Sequence, residues 1–257
     1  MTQLNIVQKC SLRQLSSLAA TIVFVAILGM ILPTQVLAAS WQSPASGMKD
    51  VAVATDGTIW LAGKNGSVWY SKDAGKTFTQ TEATGFSRVT VGPDGVPWGV
   101  GFNGTLWKYV DKTWTKTDAS GMADVAVAYD ASIWLAGQNG TVWYSADAGK
   151  TFTQVEATGF SRVSVGPDGV LWGVGFNGTL WKYIDRTWTK TDASGMADVA
   201  VAPDGKIWLA GTNGTIWSSK SGKEFEQIPN ASGFDSIAAG ATIWAVGCNG
   251  TLWKIQR

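Results

Sequence analysis

Histidine is missing altogether from this 257-residue chain, and with it goes the side chain that titrates closest to neutrality and serves most often as general base and metal ligand. The expectation is a protein that is not an enzyme and holds no metal or other cofactor. An excess of charge is missing too, because 20 Lys and Arg stand against 19 Asp and Glu. Such a chain has no basic field to draw nucleic acid or an anionic bilayer. Cysteine is reduced to Cys10 and Cys248. If the first leaves with an export segment, the second remains alone and no intrachain disulfide is expected. After residue 38 there is also no helix-length hydrophobic period.

Residues 1–38 read as that export segment. Lys9 and Arg13 stand without an acidic residue, an apolar run follows from Leu18 to Leu32, and Val36-Leu37-Ala38 supplies a small-residue cleavage site. The run falls short of the roughly 20 residues of a bilayer span. Cleavage, with a mature chain from Ala39 and a secreted, periplasmic or extracellular location, is therefore expected; an uncleaved anchor is the alternative. Ala39-Ser40-Trp41 offers no cysteine for a lipid anchor.

What the chain has in quantity is tryptophan and repetition. Asn-Gly pairs begin at Asn65, Asn103, Asn139, Asn177, Asn213 and Asn249, each followed by Ser or Thr, an aliphatic residue and Trp. A Trp precedes each pair, at Trp60, Trp98, Trp134, Trp172, Trp208 and Trp244, in steps of 36 or 38 residues. A longer period lies over this one: Gly47–Ser120 and Gly121–Ser194 align over 74 residues and differ at twelve. The unit thus alternates between an A type and a B type, in three pairs starting near residues 47, 121 and 195.

Each unit splits at turn residues into short alternating segments. In the first, strands are expected at 50–54 (a), 58–62 (b), 67–71 (c) and 77–82 (d). Four antiparallel strands repeated six times describe an all-β, six-bladed β-propeller. The last unit lacks its fourth strand, and Ser40-Trp41-Gln42 resembles the missing piece, so the N-terminal strand is expected to complete the sixth blade and close the ring. Closure removes the sheet edges of an open array.

The recurring tryptophans read chiefly as packing between blades. Asn-Gly reads as the two positive-φ residues of a tight hairpin, in preference to glycosylation of the Asn-Gly-Ser/Thr triplets. Ser71-Lys72-Asp73-Ala74-Gly75-Lys76-Thr77 and its copy from Ser145 resemble the Asp-box of sialidases and other propellers, a turn at the blade periphery. A sialidase also needs an arginine triad. Arg88, Arg162, Arg186 and Arg257 are the only arginines after residue 38, so that activity is disfavoured.

Strand parity puts the b–c turns and d–a connections on one face. That face collects Lys64, Phe102, Gln138, Phe176, Thr212 and Cys248 before each Asn, with Asn103 and Asn177 beside the two phenylalanines. The adjoining connections bring Phe86, Arg88, Phe160 and Arg162. These are the candidate ligand-binding residues, with Phe102 and Phe176 as candidate exposed aromatics; packing against a neighbouring segment is the competing account of both. At the start of strand a stand Asp50, Arg88, Asp124, Arg162, Asp198 and Ser236, an alternating ring of charge at the mouth of the central channel. Mutual pairing near the axis is one reading of it, and a polar grip on a neutral ligand the other.

The repeat VAVxxDGxIWxxGxNGxxW resembles the tectonin β-propellers, which include the fish-egg-type lectins. The resemblance covers essentially all of Ala39–Arg257. It implies a six-bladed, secreted, multivalent lectin that binds glycans of microbial or cell surfaces without metal, as a monomer or small homo-oligomer with no stable membrane insertion of the mature chain. The A–B alternation departs from six-fold equivalence, so three sites or six are both open. A propeller scaffold for protein–protein interaction is the alternative function.

Overall fold

The computed structural model of the chain describes residues 40–256; the expected export segment with its expected cleavage site, and Cys10, lie outside them. The described residues form six four-stranded antiparallel sheets and no helix. Blade 1 runs Met48–Val53 (a), Ile59–Gly63 (b), Val68–Ser71 (c) and Thr79–Gln80 (d). The inner strands of the next five blades are Phe86–Val91, Met122–Val127, Phe160–Val165, Met196–Val201 and Phe234–Ala239. In blades 1 and 2 the b strands are wholly buried and the d strands mostly exposed, the inside-to-outside order of a propeller blade.

The last blade is completed as the sequence leads one to expect. Ser40–Ala45 pairs antiparallel with Leu252–Gln256, placing Trp41 opposite Ile255 and Ala45 opposite Leu252. One sheet therefore holds both ends of the described chain, and no blade is left with three strands.

Two kinds of interface alternate around the ring, which gives the A–B pattern a physical basis. Where a B blade follows an A blade, aromatic rings meet. Trp60 of blade 1 packs against Tyr109 and Trp114 of blade 2 at centroid distances of 5.3 and 6.4 Å, and Phe86 lies on Trp114 at 4.6 Å. Where an A blade follows a B blade, a tryptophan meets a glycine instead. A Cβ on Gly75 would stand 2.5 Å from Trp244, and one on Gly149 would stand 2.7 Å from Trp98.

Those glycines belong to the Asp-box turns. Asp73 Oδ1 accepts from Ser71 Oγ at 2.8 Å and from the Thr77 N–H at 2.9 Å, and Oδ2 accepts from Thr77 Oγ1 at 2.6 Å. The Thr77 hydroxyl and amide hold the Asp73 carboxyl well below its ordinary range. Asp147 is tied in the same way by Thr151 and Ser145. The box is thus a self-contained knot that presents its glycine to the neighbouring tryptophan.

Two expectations are corrected. At the Asn-Gly turns only the glycine has positive φ, as at Gly66 with φ 83°. The Gly66 N–H donates to Gly63 O, and the Gly63 N–H to Ser67 O. This is a three-residue loop with a single left-handed position, and the Asn side chain serves as a cap: Asn65 Oδ1 accepts from the Ser67 N–H at 3.1 Å and from its hydroxyl at 2.6 Å. The second correction concerns Cys248, which is disulfide-bonded.

The a–b turns use the same loop, with Gly57, Gly95, Gly169 and Gly205 left-handed, but in blade 3 the position is Ala131 at φ 64°. A Cβ in that conformation costs about 1–2 kcal/mol. Ala131→Gly should therefore stabilise the protein by about 1 kcal/mol in denaturant titration, and an unchanged or lowered midpoint would contradict this account of the turn.

Candidate functional site

The b–c face is held by backbone contacts between successive blades. Within each blade the amide before Asn extends the a–b pairing: Lys64 N–H donates to Gly47 O at 2.8 Å and Phe102 N–H to Gly85 O at 2.7 Å. Between blades, Phe86 N–H donates to Gly66 O at 3.0 Å and Met122 N–H to Gly104 O at 2.9 Å. The pattern continues through every blade and returns to the start with Met48 N–H on Gly250 O at 2.8 Å.

On this belt the candidate residues separate by exposure. Lys64, Gln138, Thr212, Asn103 and Asn177 are exposed. The Asn103 and Asn177 carbonyls are engaged by the amides of Thr105 and Thr179 at 3.1 and 3.0 Å, so their part is turn formation. Phe102 and Phe176 expose 49% and 59% of their surface. Their ring edges rest on the preceding turn, where Phe102 Cε2 lies 2.8 Å from a Cβ built on Gly66 and Phe176 Cε2 lies 2.7 Å from one on Gly140. Phe86 and Phe160, by contrast, are buried in the A-to-B interfaces and contribute packing only.

Sequence reasoning passed over Lys49, whose ammonium stands 5.0 Å from the Phe102 ring centroid. Burial lowers its pKa, with Arg88 adding to the shift. The signal was present: position 49 is one of the twelve at which the first two pairs differ, with Ala123 as its counterpart. Lys64 also closes toward the previous blade, donating to Cys248 O at 2.8 Å. The Phe102 platform therefore has one ammonium group, that of Lys49, over its ring, whereas Ala123 holds the corresponding position beside Phe176.

The ring of Asp50, Arg88, Asp124, Arg162, Asp198 and Ser236 is buried and internally bonded, with Arg162 the most accessible member. Each aspartate binds the amide that follows the B-blade ring position: Val89 N–H on Asp50 Oδ2 at 2.9 Å, Val163 N–H on Asp124 Oδ2 at 2.9 Å, Ile237 N–H on Asp198 Oδ2 at 3.0 Å. Ser236 Oγ donates to Asp50 Oδ1 at 2.8 Å.

The two arginines behave differently although their blades are nearly identical in sequence. Arg88 Nη1 donates to Asp50 Oδ1 at 2.6 Å and lies 4.0 Å from Asp198 Oδ2, on the blade opposite its own. Its guanidinium therefore sits on the axis, and a second cannot share that place. Arg162 is turned aside, bonding Ser161 O at 2.8 Å and leaving Nε 3.5 Å from Asp198 Oδ1 without a hydrogen bond. Burial raises the Asp124 pKa to about 8 and that of Asp198 to about 6, against an ordinary 3.8.

Mutation and pH should both report on this layer. Arg88→Met strands Asp50 and Asp198 in a buried site and should cost about 3–5 kcal/mol of unfolding free energy, against a smaller loss for Arg162→Met. Equal losses would show that the axial placement is not what matters. Because Asp124 and Asp198 bind protons more tightly folded than unfolded, their contribution is full below about pH 4 and is lost as pH rises to about 8. The melting temperature should fall across about pH 5–8, and Asp124→Asn, which keeps an acceptor for Val163, should flatten that fall. The lowered turn carboxylates Asp56, Asp73, Asp130 and Asp147 act in the opposite sense, at acid pH.

Comparison with known proteins agrees with this geometry. Residues 133–257 match the Tectonin domain family. No curated protein matches the chain by sequence. Among solved structures, YCF48 bound to D1 peptide is similar with TM-score 0.57 and 16% identity, over 82% of this chain and 77% of that one. The gluconolactonase XC5397 from Xanthomonas campestris is similar with TM-score 0.67 and 13% identity, over 84% of this chain and 89% of that one. At such identities these likenesses speak for the fold alone. The family match lies in the second half of the chain, and residues 47–120 repeat 121–194 with twelve differences; the match and the six-bladed ring support a tectonin-type β-propeller family.

Proposed function

We propose that this propeller is a secreted, multivalent, non-enzymatic lectin whose sugar contacts lie on the b–c face, on the platforms of Phe102 and Phe176. The observation that carries the reading is the exposure of these two rings at equivalent positions of blades 2 and 4. An aromatic face open to solvent beside polar side chains suits the C–H face of a sugar, and large exposed aromatics on an otherwise polar turn mark contact sites. The third equivalent position, in blade 6, is Cys248, so the A–B symmetry supplies two aromatic platforms rather than three. Two weak sites on one rigid ring bind a repetitive surface through avidity.

The ammonium group of Lys49 over Phe102 makes the platforms unequal, with the first suited to acidic or phosphorylated sugars and the second to neutral ones. Among the described residues no helix is long and apolar enough to cross a membrane, and no group of side chains is placed to hold a metal ion. A protein-interaction scaffold is the second reading, favoured by the peptide held on the YCF48 propeller.

A glycan array read with the purified protein tests the proposal. Saturable binding that free sugar competes away is the expected result, and Phe102→Ala with Phe176→Ala should weaken it at least about tenfold without lowering the melting temperature. Silence across microbial and animal glycans, or binding that the double variant leaves intact, would sink the assignment.

A further inference from the structure

A second opening lies away from the b–c face. The central channel encloses a cavity of about 520 Å³, within the range of roughly 300–1,000 Å³ typical of small-molecule sites. Its wall is made by Val51, Val53, Val125, Val127, Val199 and their counterparts on the remaining inner strands, with polar and apolar surface in nearly equal parts. Its lining extends to the a–b turns, where Thr55, Pro93, Tyr129, Pro167 and Asp204 form the rim, and stops at Asp50, Arg88, Asp124 and Asp198. The channel is thus a funnel open on the a–b face and floored by the charged layer.

That floor is not balanced. It holds three carboxylates but two guanidiniums, because the third B-blade position is Ser236. Arg88 is committed to Asp50 and Asp198, and Arg162 leans toward Asp198. Asp124 is left over. It is 8% exposed, lines the channel and takes part in no ion pair among the described residues. One oxygen accepts from Val163, while Oδ1 has no hydrogen-bond partner among the described residues. A buried carboxylate with an unused acceptor at the bottom of a valine-bearing shaft of mixed polarity matches a cation carried on a short hydrocarbon body.

We infer that the channel binds a primary alkyl- or aralkylammonium ion, one per chain, with its ammonium on Asp124 Oδ1 and its carbon body along the valine walls. The ligand enters from the a–b face and supplies the positive charge that Ser236 does not. Without it, burial keeps a proton on Asp124 up to about pH 8. Binding therefore exchanges that proton for the ammonium: Asp124 gives up H⁺ to solvent, and the floor stays neutral. The other charged or titratable groups facing the site are Arg88, Asp50 and Asp198 across the floor, with Arg162 behind them and Asp204 and Tyr129 at the rim. The channel is separate from the b–c face, so amine binding does not depend on whether that face binds sugar.

Calorimetry with n-hexylammonium chloride and with 1-hexanol decides between occupancy by charge and occupancy by hydrocarbon alone. The expected result is saturable 1:1 binding of the ammonium, tightening up to about tenfold per pH unit from about pH 6 to 8 and releasing close to one proton, with 1-hexanol at least about tenfold weaker. Asp124→Asn should abolish both the pH dependence and the preference for the amine, while Phe102→Ala leaves them unchanged. Equal affinity for amine and alcohol, absence of proton release, or no saturation at millimolar ligand would overturn the inference. Should Asp124→Asn fail to fold, proton release by the unmodified protein remains decisive, since close to one proton supports the site and none removes it.

Discussion

Adjacent blades in this ring approach to backbone hydrogen-bonding distance, and the rest of the structure depends on that approach. It is possible only because the residue ending each Asn-Gly turn carries no side chain. A Cβ on Gly66 would stand 2.6 Å from the amide nitrogen of Gly85 in the next blade, inside any tolerable contact. The left-handed backbone of that glycine aims its carbonyl at the Phe86 amide. One residue type therefore sets the turn, the spacing between blades and the path of the belt. With spacing fixed in this way, the sequence is free to vary one position before each Asn, where Lys64, Phe102, Gln138, Phe176, Thr212 and Cys248 differ.

The same spacing governs the axis. Six inner strands held at one distance leave a shaft narrow enough that one guanidinium occupies its centre. A sequence with three-fold repetition cannot be satisfied three times there, and Arg88 and Arg162 part company although only twelve substitutions in 74 residues separate their pairs. Asymmetry thus arises from crowding on a symmetry axis. Its electrostatic residue, a carboxyl that keeps its proton near neutrality, is a property of the assembled ring and of no single blade.

Much of the fold was legible in the chain. The alternation of apolar residues located the strands of blade 1 to within a few residues, and the kinship of Ser40-Trp41-Gln42 with the missing fourth strand anticipated its pairing with Leu252–Gln256. Period and turn chemistry are local, and local signals survive in sequence. The turn type was less legible, since Asn-Gly is compatible with a two-residue or a three-residue loop, and hydrogen bonds from Ser67 decide between them. Burial of Phe86 beside exposure of Phe102 was not legible either, because both follow a glycine in the same face-forming segments. The axial layer was located but not resolved: strand parity places six side chains together without saying which of two arginines reaches the centre.

The pairing of Ser40–Ala45 with Leu252–Gln256 joins the two ends of the described chain, and this has a kinetic consequence. The first of the described strands is the last to find its place, since its partner, Leu252–Gln256, is synthesised only after the other blades. Until then blade 6 is without its outer strand, and the inner strands of blades 1 and 6 each lack one of their two neighbours. Blades 1 to 5 contain only local hairpins and can form in order. Closure waits for the longest loop in the molecule, and contacts of such separation are the slow step in folding. The ring is thus assembled as an arc that closes once, and the interval before closure is when its exposed edges meet whatever else is present.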